Sequence, residues 1–327
     1  MKLILTFIAA LSAAPAFADV AEVVDQHILP GYAAFTDAAR TLSDAADADC
    51  TPEAVRPAWN AAFDAWLGVS HIQFGPVQDA GQNVAIAFWP DERSAGPRAL
   101  AALIANNDPI IAEPGGTTRL SVGARGLFGL EYLLFDPQFT DAGPYGCDLI
   151  RALSADLLQM AAGTQGAWED NYANLLRTAG DAGNAIFLTS EEGTQILFTS
   201  LLSGLEFASD KRLGRPMGTF DRPRPTRAES WRSVRSLHNV DLSLQALRDL
   251  TVTLTENDAP RTMAAFDRAL DLVAALDDPD LSGVSDPQGR FKVEIIQQAV
   301  DAIQAAALTE IGAQLGVSAG FNSADGD

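Results

Sequence analysis

Lysine is scarce in this chain: three residues of 327, against nineteen arginines and forty-three acidic side chains. The formal net charge is −21, and a surface so acidic repels nucleic acid and anionic lipid, which argues against both as partners. Histidine is scarcer than an elaborate metal centre demands, with three residues, and cysteine occurs twice. There is no His-Glu-x-x-His, so zincin-type hydrolysis lacks its paired ligands and its base. Nucleophile-elbow, phosphate-loop, dinucleotide and EF-hand patterns are missing too, as is the Cys-x-x-Cys-His that attaches haem. The acidic runs at 44–49 and 277–280 lack calcium-loop spacing and read as solvated turns. Beyond the first residues no stretch is long and apolar enough to cross a bilayer. Alternation of period two is nearly absent, which leaves little room for a sheet.

The opening of the chain is a leader pattern. Lys2 supplies a positive start, Leu3–Leu11 an apolar run, and Ala16-Phe17-Ala18 a small-x-small cleavage site. Residues 1–18 therefore read as a signal peptide. With no cysteine at the cleavage point there is no lipoprotein anchor, and the expected location is the periplasm or cell envelope. Such an oxidising compartment makes Cys50 and Cys147 a disulfide candidate.

Helical periodicity runs throughout the remainder. Trp59, Phe63, Trp66 and Ser70 form one stripe, opened by Thr51, Pro52 and Glu53. Val234, Leu237, Val240, Leu244 and Leu247 form a second, entered through Thr226–Glu229, a capping-box pattern. Thr189–Glu192 opens a third helix in the same way, and Val293, Ile296, Val300, Ile303 and Ala307 form the last stripe. Proline and glycine break the chain between them, and Gly180–Gly183 is the best joint between two halves. The expected architecture is all-α, two packed helical bundles at 19–182 and 183–327.

Residues 126–131 read Gly-Leu-Phe-Gly-Leu-Glu, which resembles the Gly-x-His-x-x-Glu signature of the imelysin family of bacterial envelope proteins, with Phe128 at the histidine position. His27–Tyr32 resembles the family's opening helix. The stretch from Ala58-Trp59 to Gly75-Pro76 is similar to its tryptophan-containing second helix and turn, and Ala228–Asn239 to a Ser/Arg-rich helix in the second half. Gly204-Leu205-Glu206-Phe207 also echoes Gly129-Leu130-Glu131-Tyr132, in keeping with the family's bilobal architecture. The resemblance implies a role in iron acquisition, with iron, an iron chelate or a small anionic ligand bound in a cleft between the bundles. Two alternatives accompany it: a metallopeptidase, weakened because phenylalanine has no lone pair for the metal, and a non-catalytic partner of an envelope iron-uptake or redox protein.

Candidate residues follow. Glu131 carries over from the signature, as a ligand or polar anchor at the cleft or as a structural carboxylate paired with Arg125 or Arg119. His27 and His71 join Glu131 as candidate metal ligands, although helix-end or core histidine is the default for each. Arg98, Arg235 and His238 are candidates for holding an anion or chelate. Seven arginines fall between Arg212 and Arg235, as a bidentate anion platform or, more simply, as partners of acidic helices.

Overall fold

The computed structural model describes residues 20–317; the leader read at 1–18 and its cleavage site lie outside them. Among the described residues there is no β-strand, and no helix is long and apolar enough to cross a membrane.

The first half is built on α1 (Leu29–Ala48), which packs against α2 (Pro52–Leu67) and later against α5. Pro52 starts α2, and Gly68 ends it before Ser70, so the stripe keeps Trp59, Phe63 and Trp66 and loses its last member. A short helix α3 (Ala95–Asn106) leads to the apolar α4 (Gly126–Phe135). Two side chains of α2 fasten α4: Arg56 Nε donates to the Leu134 carbonyl at 2.9 Å and Trp59 Nε1 to that of Leu127 at 3.0 Å. The long α5 (Gly143–Ala167) closes this group against α1 and α4. Cys50 and Cys147 are joined, tying the α1–α2 turn to the first turn of α5 across 97 residues of chain.

The second half consists of α6 (Ser190–Glu206), α7 (Ser236–Leu254), α8 (Pro260–Ala274) and α9 (Pro287–Leu315), which pack mostly on one another. The Thr189 capping box is present: the Glu192 amide donates to Thr189 Oγ1 at 3.3 Å, and the Glu192 carboxylate accepts from the Thr189 amide. Asp286 starts α9 by accepting from Gln288 and Gly289. Along α9, Val293, Ile296, Val300, Ile303 and Ala307 are all buried.

The expected entry to α7 is corrected. Thr226–Glu229 caps nothing, residues 228–235 form a compact non-helical strap, and the helix starts at Ser236. The reason is competition for one carboxylate: Glu229 is engaged by Arg212 rather than by a helix amide. Ser230 and Val234 in this strap hold positive φ angles of 52° and 56°. For a β-branched valine that is an uncommon, strained conformation, sustained by the bonds around it.

Three helical rods each widen into a π turn, at Val24–Ile28, Trp168–Tyr172 and Phe207–Gly214. Such a turn carries an extra residue and redirects the side chains after it. The first holds His27 and the third Arg212.

Candidate functional site

A cavity of about 580 Å³ opens where the two halves meet. One wall is the chain leaving α2, with Trp66, His71 and Phe74; another is the loop carrying Phe88, Trp89 and Pro90; α6 and the π turn after it supply Ser203, Gly204 and Phe207. Trp89 meets Phe207 edge-on, with centroids 5.8 Å apart, and the Arg215 guanidinium lies over Trp89. Glycine at 204 lets the wall approach α6 closely. A Cβ there would come within 2.5 Å of a Leu247 methyl and 3.2 Å of His71 Cβ, so Leu247 would have to repack and the wall carrying His71 would have to give slightly.

The polar end of the cavity is His71 with Arg212 and Glu229. Arg212 Nε donates to Glu229 Oε2 at 2.6 Å, and its guanidinium lies 4.8 Å from the Phe207 ring centre. From there a chain of buried bonds crosses the seam. Asn239 donates to Glu229 at 3.0 Å, and Arg235 Nε donates to Asn239 at 2.8 Å. Arg235 then reaches α2, donating to Asn60 Oδ1 at 2.7 Å and to Asp64, over the faces of Trp59 and Phe63. His238 completes the run against Asp64 at 3.0 Å, on the exposed side.

Behind His71, its Nε2 lies 2.8 Å from His27 Nε2. Burial holds the His27 pKa down to about 4, and burial together with the charges of His27 and Arg212 holds His71 well below its usual value. Both rings are therefore neutral near pH 7, Arg212 is offset by Glu229, and the cavity floor carries almost no net charge.

Glu131 is buried at the same seam but does not line the cavity. Its Oε1 accepts from the Ser233 amide at 3.2 Å and is 2.7 Å from Ser233 Oγ, which is also 3.0 Å from the Ser230 carbonyl. One hydroxyl proton cannot serve both acceptors. When Glu131 is protonated it donates to Ser233 Oγ, and that hydroxyl is free to donate to Ser230. Burial raises the Glu131 pKa to about 7 against the opposing pull of Ser233 and Arg232. Neither Arg125 nor Arg119 is its partner; they pair with Asp156 and Glu113.

The raised pKa has a signed consequence. Unfolded, Glu131 titrates near the ordinary glutamate value of about 4.3, so the folded state holds its proton more tightly. Its contribution to stability is fully present below that pH and is lost as pH rises towards 7. Urea unfolding of Glu131→Gln, which keeps the acceptor but cannot ionise, should show the variant gaining on the wild type by roughly 3 kcal/mol between pH 4.5 and pH 8. A constant difference across that range would remove the assignment.

The expected site residues separate into groups. His27 and His71 come together, and Arg235 and His238 meet on Asp64. His27, His71 and Glu131 do not gather into a three-donor metal cluster among the described residues. Arg98 is exposed and bonds back to the Ser94 carbonyl of its own helix. Phe128 is core, packed edge-on against Phe63 at 5.5 Å, so the signature position faces other rings and offers no second donor beside Glu131. The residues present there do not fit a metal. Of the arginine cluster, Arg212, Arg215, Arg232 and Arg235 pair with Glu229, Glu92, Asp136 and Asp64, as internal partners of acidic groups. Sequence reasoning did not join Arg212 to Glu229 or single out Phe88; the echo at Gly204–Phe207 was a signal leading to the α6 wall.

The family model described as imelysin (Peptidase_M75) matches residues 28–307. An iron-regulated protein A from Synechococcus elongatus is 26% identical over 231 residues, 66% of this chain and 59% of the relative, so the match spans less than two thirds of that protein's length. An imelysin-like protein from Psychrobacter arcticum 273-4 superposes with a TM-score of 0.77 at 20% identity, covering 92% of this chain and 96% of the other. An iron-regulated protein A precursor from Parabacteroides distasonis gives 0.68 at 15%, covering 90% and 97%. At these identities the two structures speak for the fold.

Proposed function

Because the chain belongs to the imelysin family, we propose that it is an exported, iron-linked binding protein of the cell envelope whose ligand enters the cavity between its two halves. The observation that carries this reading is the 580 Å³ volume, walled by the rings of Trp66, Phe74, Phe88, Trp89 and Phe207 among aliphatic and uncharged polar side chains and closed at one end by His71, Arg212 and Glu229. That size and lining suit an organic ligand, with a few polar groups fixing its orientation. The nearly neutral floor favours a weakly charged, apolar complex over a hydrated cation or a polyanion. Iron is then cargo, carried inside an organic chelate. The link to iron is supported by the iron-regulated relative, and export by the leader pattern and the disulfide. The metallopeptidase alternative would need a metal on the signature helix, where Phe128 and the Ser233-bound Glu131 provide no donor pair.

The test uses the neutral ferric tris-acetohydroxamate complex and anionic ferric citrate as probes. Trp66 and Trp89 line the cavity, so binding of the neutral complex should quench tryptophan fluorescence, and citrate should quench less. Ser203→Trp, which fills the cavity from α6, should weaken binding at least about tenfold. Absence of quenching by either probe, or affinity untouched by Ser203→Trp, would end the reading.

A further inference from the structure

The cavity reading uses His71 as a wall and leaves its contact with His27 unused. Their Nε2 atoms are 2.8 Å apart while the ring centroids are 5.0 Å apart. The extra separation is accounted for by the two ring radii, so the nitrogens lie on the line between the rings and each lone-pair axis points at the other ring. One proton bridges them at present, carried by one ring and accepted by the other.

From this head-on geometry we infer that the pair is a linear two-coordinate site for a soft monovalent d¹⁰ cation, Cu(I) in the cell envelope and Ag(I) as its laboratory surrogate. A metal–imidazole bond is about 2 Å, so an ion on the line needs the nitrogens about 4 Å apart. The rings must part by about 1.2 Å, the difference between that spacing and the hydrogen bond. His27 sits in the π turn Val24–Ile28 and is partly exposed, and His71 sits in the turn after α2, against the cavity. The bridging hydrogen moves from Nε2 to Nδ1 of its own ring, so both Nε2 lone pairs become donors and no net proton is released.

The choice of ion follows from what surrounds the pair. Among the described residues no Asp, Glu or Cys joins them to make a third protein donor, and the Arg212 charge is felt at His71. Desolvation scales with the square of the charge, so a divalent ion pays about four times the penalty of a monovalent one, with no anion to offset it. Zinc and iron also call for four or more ligands, whereas two neutral imidazoles satisfy a d¹⁰ monocation. The site borders the cavity through His71, which lines it, and does not include Glu131.

The experiment is anaerobic titration of the whole protein against the Cu(I)–bicinchoninate complex, with X-ray absorption on the loaded protein. One equivalent of Cu(I) should pass to the protein, and the spectrum should show two nitrogen donors and the edge feature of linear coordination. His27→Ala and His71→Ala should each weaken retention by about a hundredfold, while His238→Ala leaves it unchanged. Should either alanine variant fail to fold, the spectrum of the wild type decides. No transfer from bicinchoninate, sulfur donors from methionine, or retention that survives both substitutions would overturn the inference.

Discussion

Arg212→Ala is expected to lower the stability of the fold by about 3–5 kcal/mol and to abolish binding in the cavity. The Arg212 and Glu229 side chains are only 7% and 5% exposed, and Nε lies 2.6 Å from Oε2. With the guanidinium gone, Glu229 keeps one donor, the Asn239 amide, in a place water barely reaches. An uncompensated buried charge is the costly outcome. Arg212→Lys should recover little, because a point charge on a flexible stem supplies neither the Nε geometry nor the planar contact with Phe207. The decisive comparison is Arg212→Met with Glu229→Gln. If the loss comes from a stranded carboxylate, the double variant should be more stable than Arg212→Met alone, as read by urea unfolding. A double variant showing the simple sum of two losses would refute this account.

The second large effect belongs to the disulfide. Joining Cys50 to Cys147 closes 97 residues, which in the chain-entropy model is worth about 4.7 kcal/mol through the unfolded state. Cys50→Ser with Cys147→Ser should lose most of this while keeping the native structure, because α1 still packs on α2 and α5. Reducing the wild type with dithiothreitol should reproduce the loss and leave the serine variant unmoved. A drop below about 1 kcal/mol would mean that the reduced chain is already compact around the same contacts.

These two features differ in how visible they are from the sequence. The cysteines could be paired because there are two of them and the opening residues read as a leader, for which an oxidising compartment is the expectation. Helices were legible wherever a stripe and a cap agree, as at Thr189–Glu192, where the donors and acceptors that decide the boundary lie within four residues. The same pattern misled at Thr226–Glu229, because a residue 17 positions earlier captures the glutamate. Local pattern has no access to that competition. His27 and His71 are 44 residues apart, and nothing in either neighbourhood marks the other. A π turn is one added residue, which a period near 3.6 absorbs without trace, yet two of these turns place His27 and Arg212. Phe128 could be seen to lack a lone pair; that it packs on Phe63 is a matter of tertiary packing.

The strap at 228–235 bears on how a ligand gets in. It is stitched to the first half through Glu131, Asp136, Asn60 and Asp64, and to the second through Arg212 and Asn239. A clamshell motion of one half against the other would have to break these bonds. On the proposed reading, the Trp89 ring held between Phe207 and Arg215 is the cavity side chain expected to move when a ligand enters. The loaded and unloaded proteins should have the same radius of gyration.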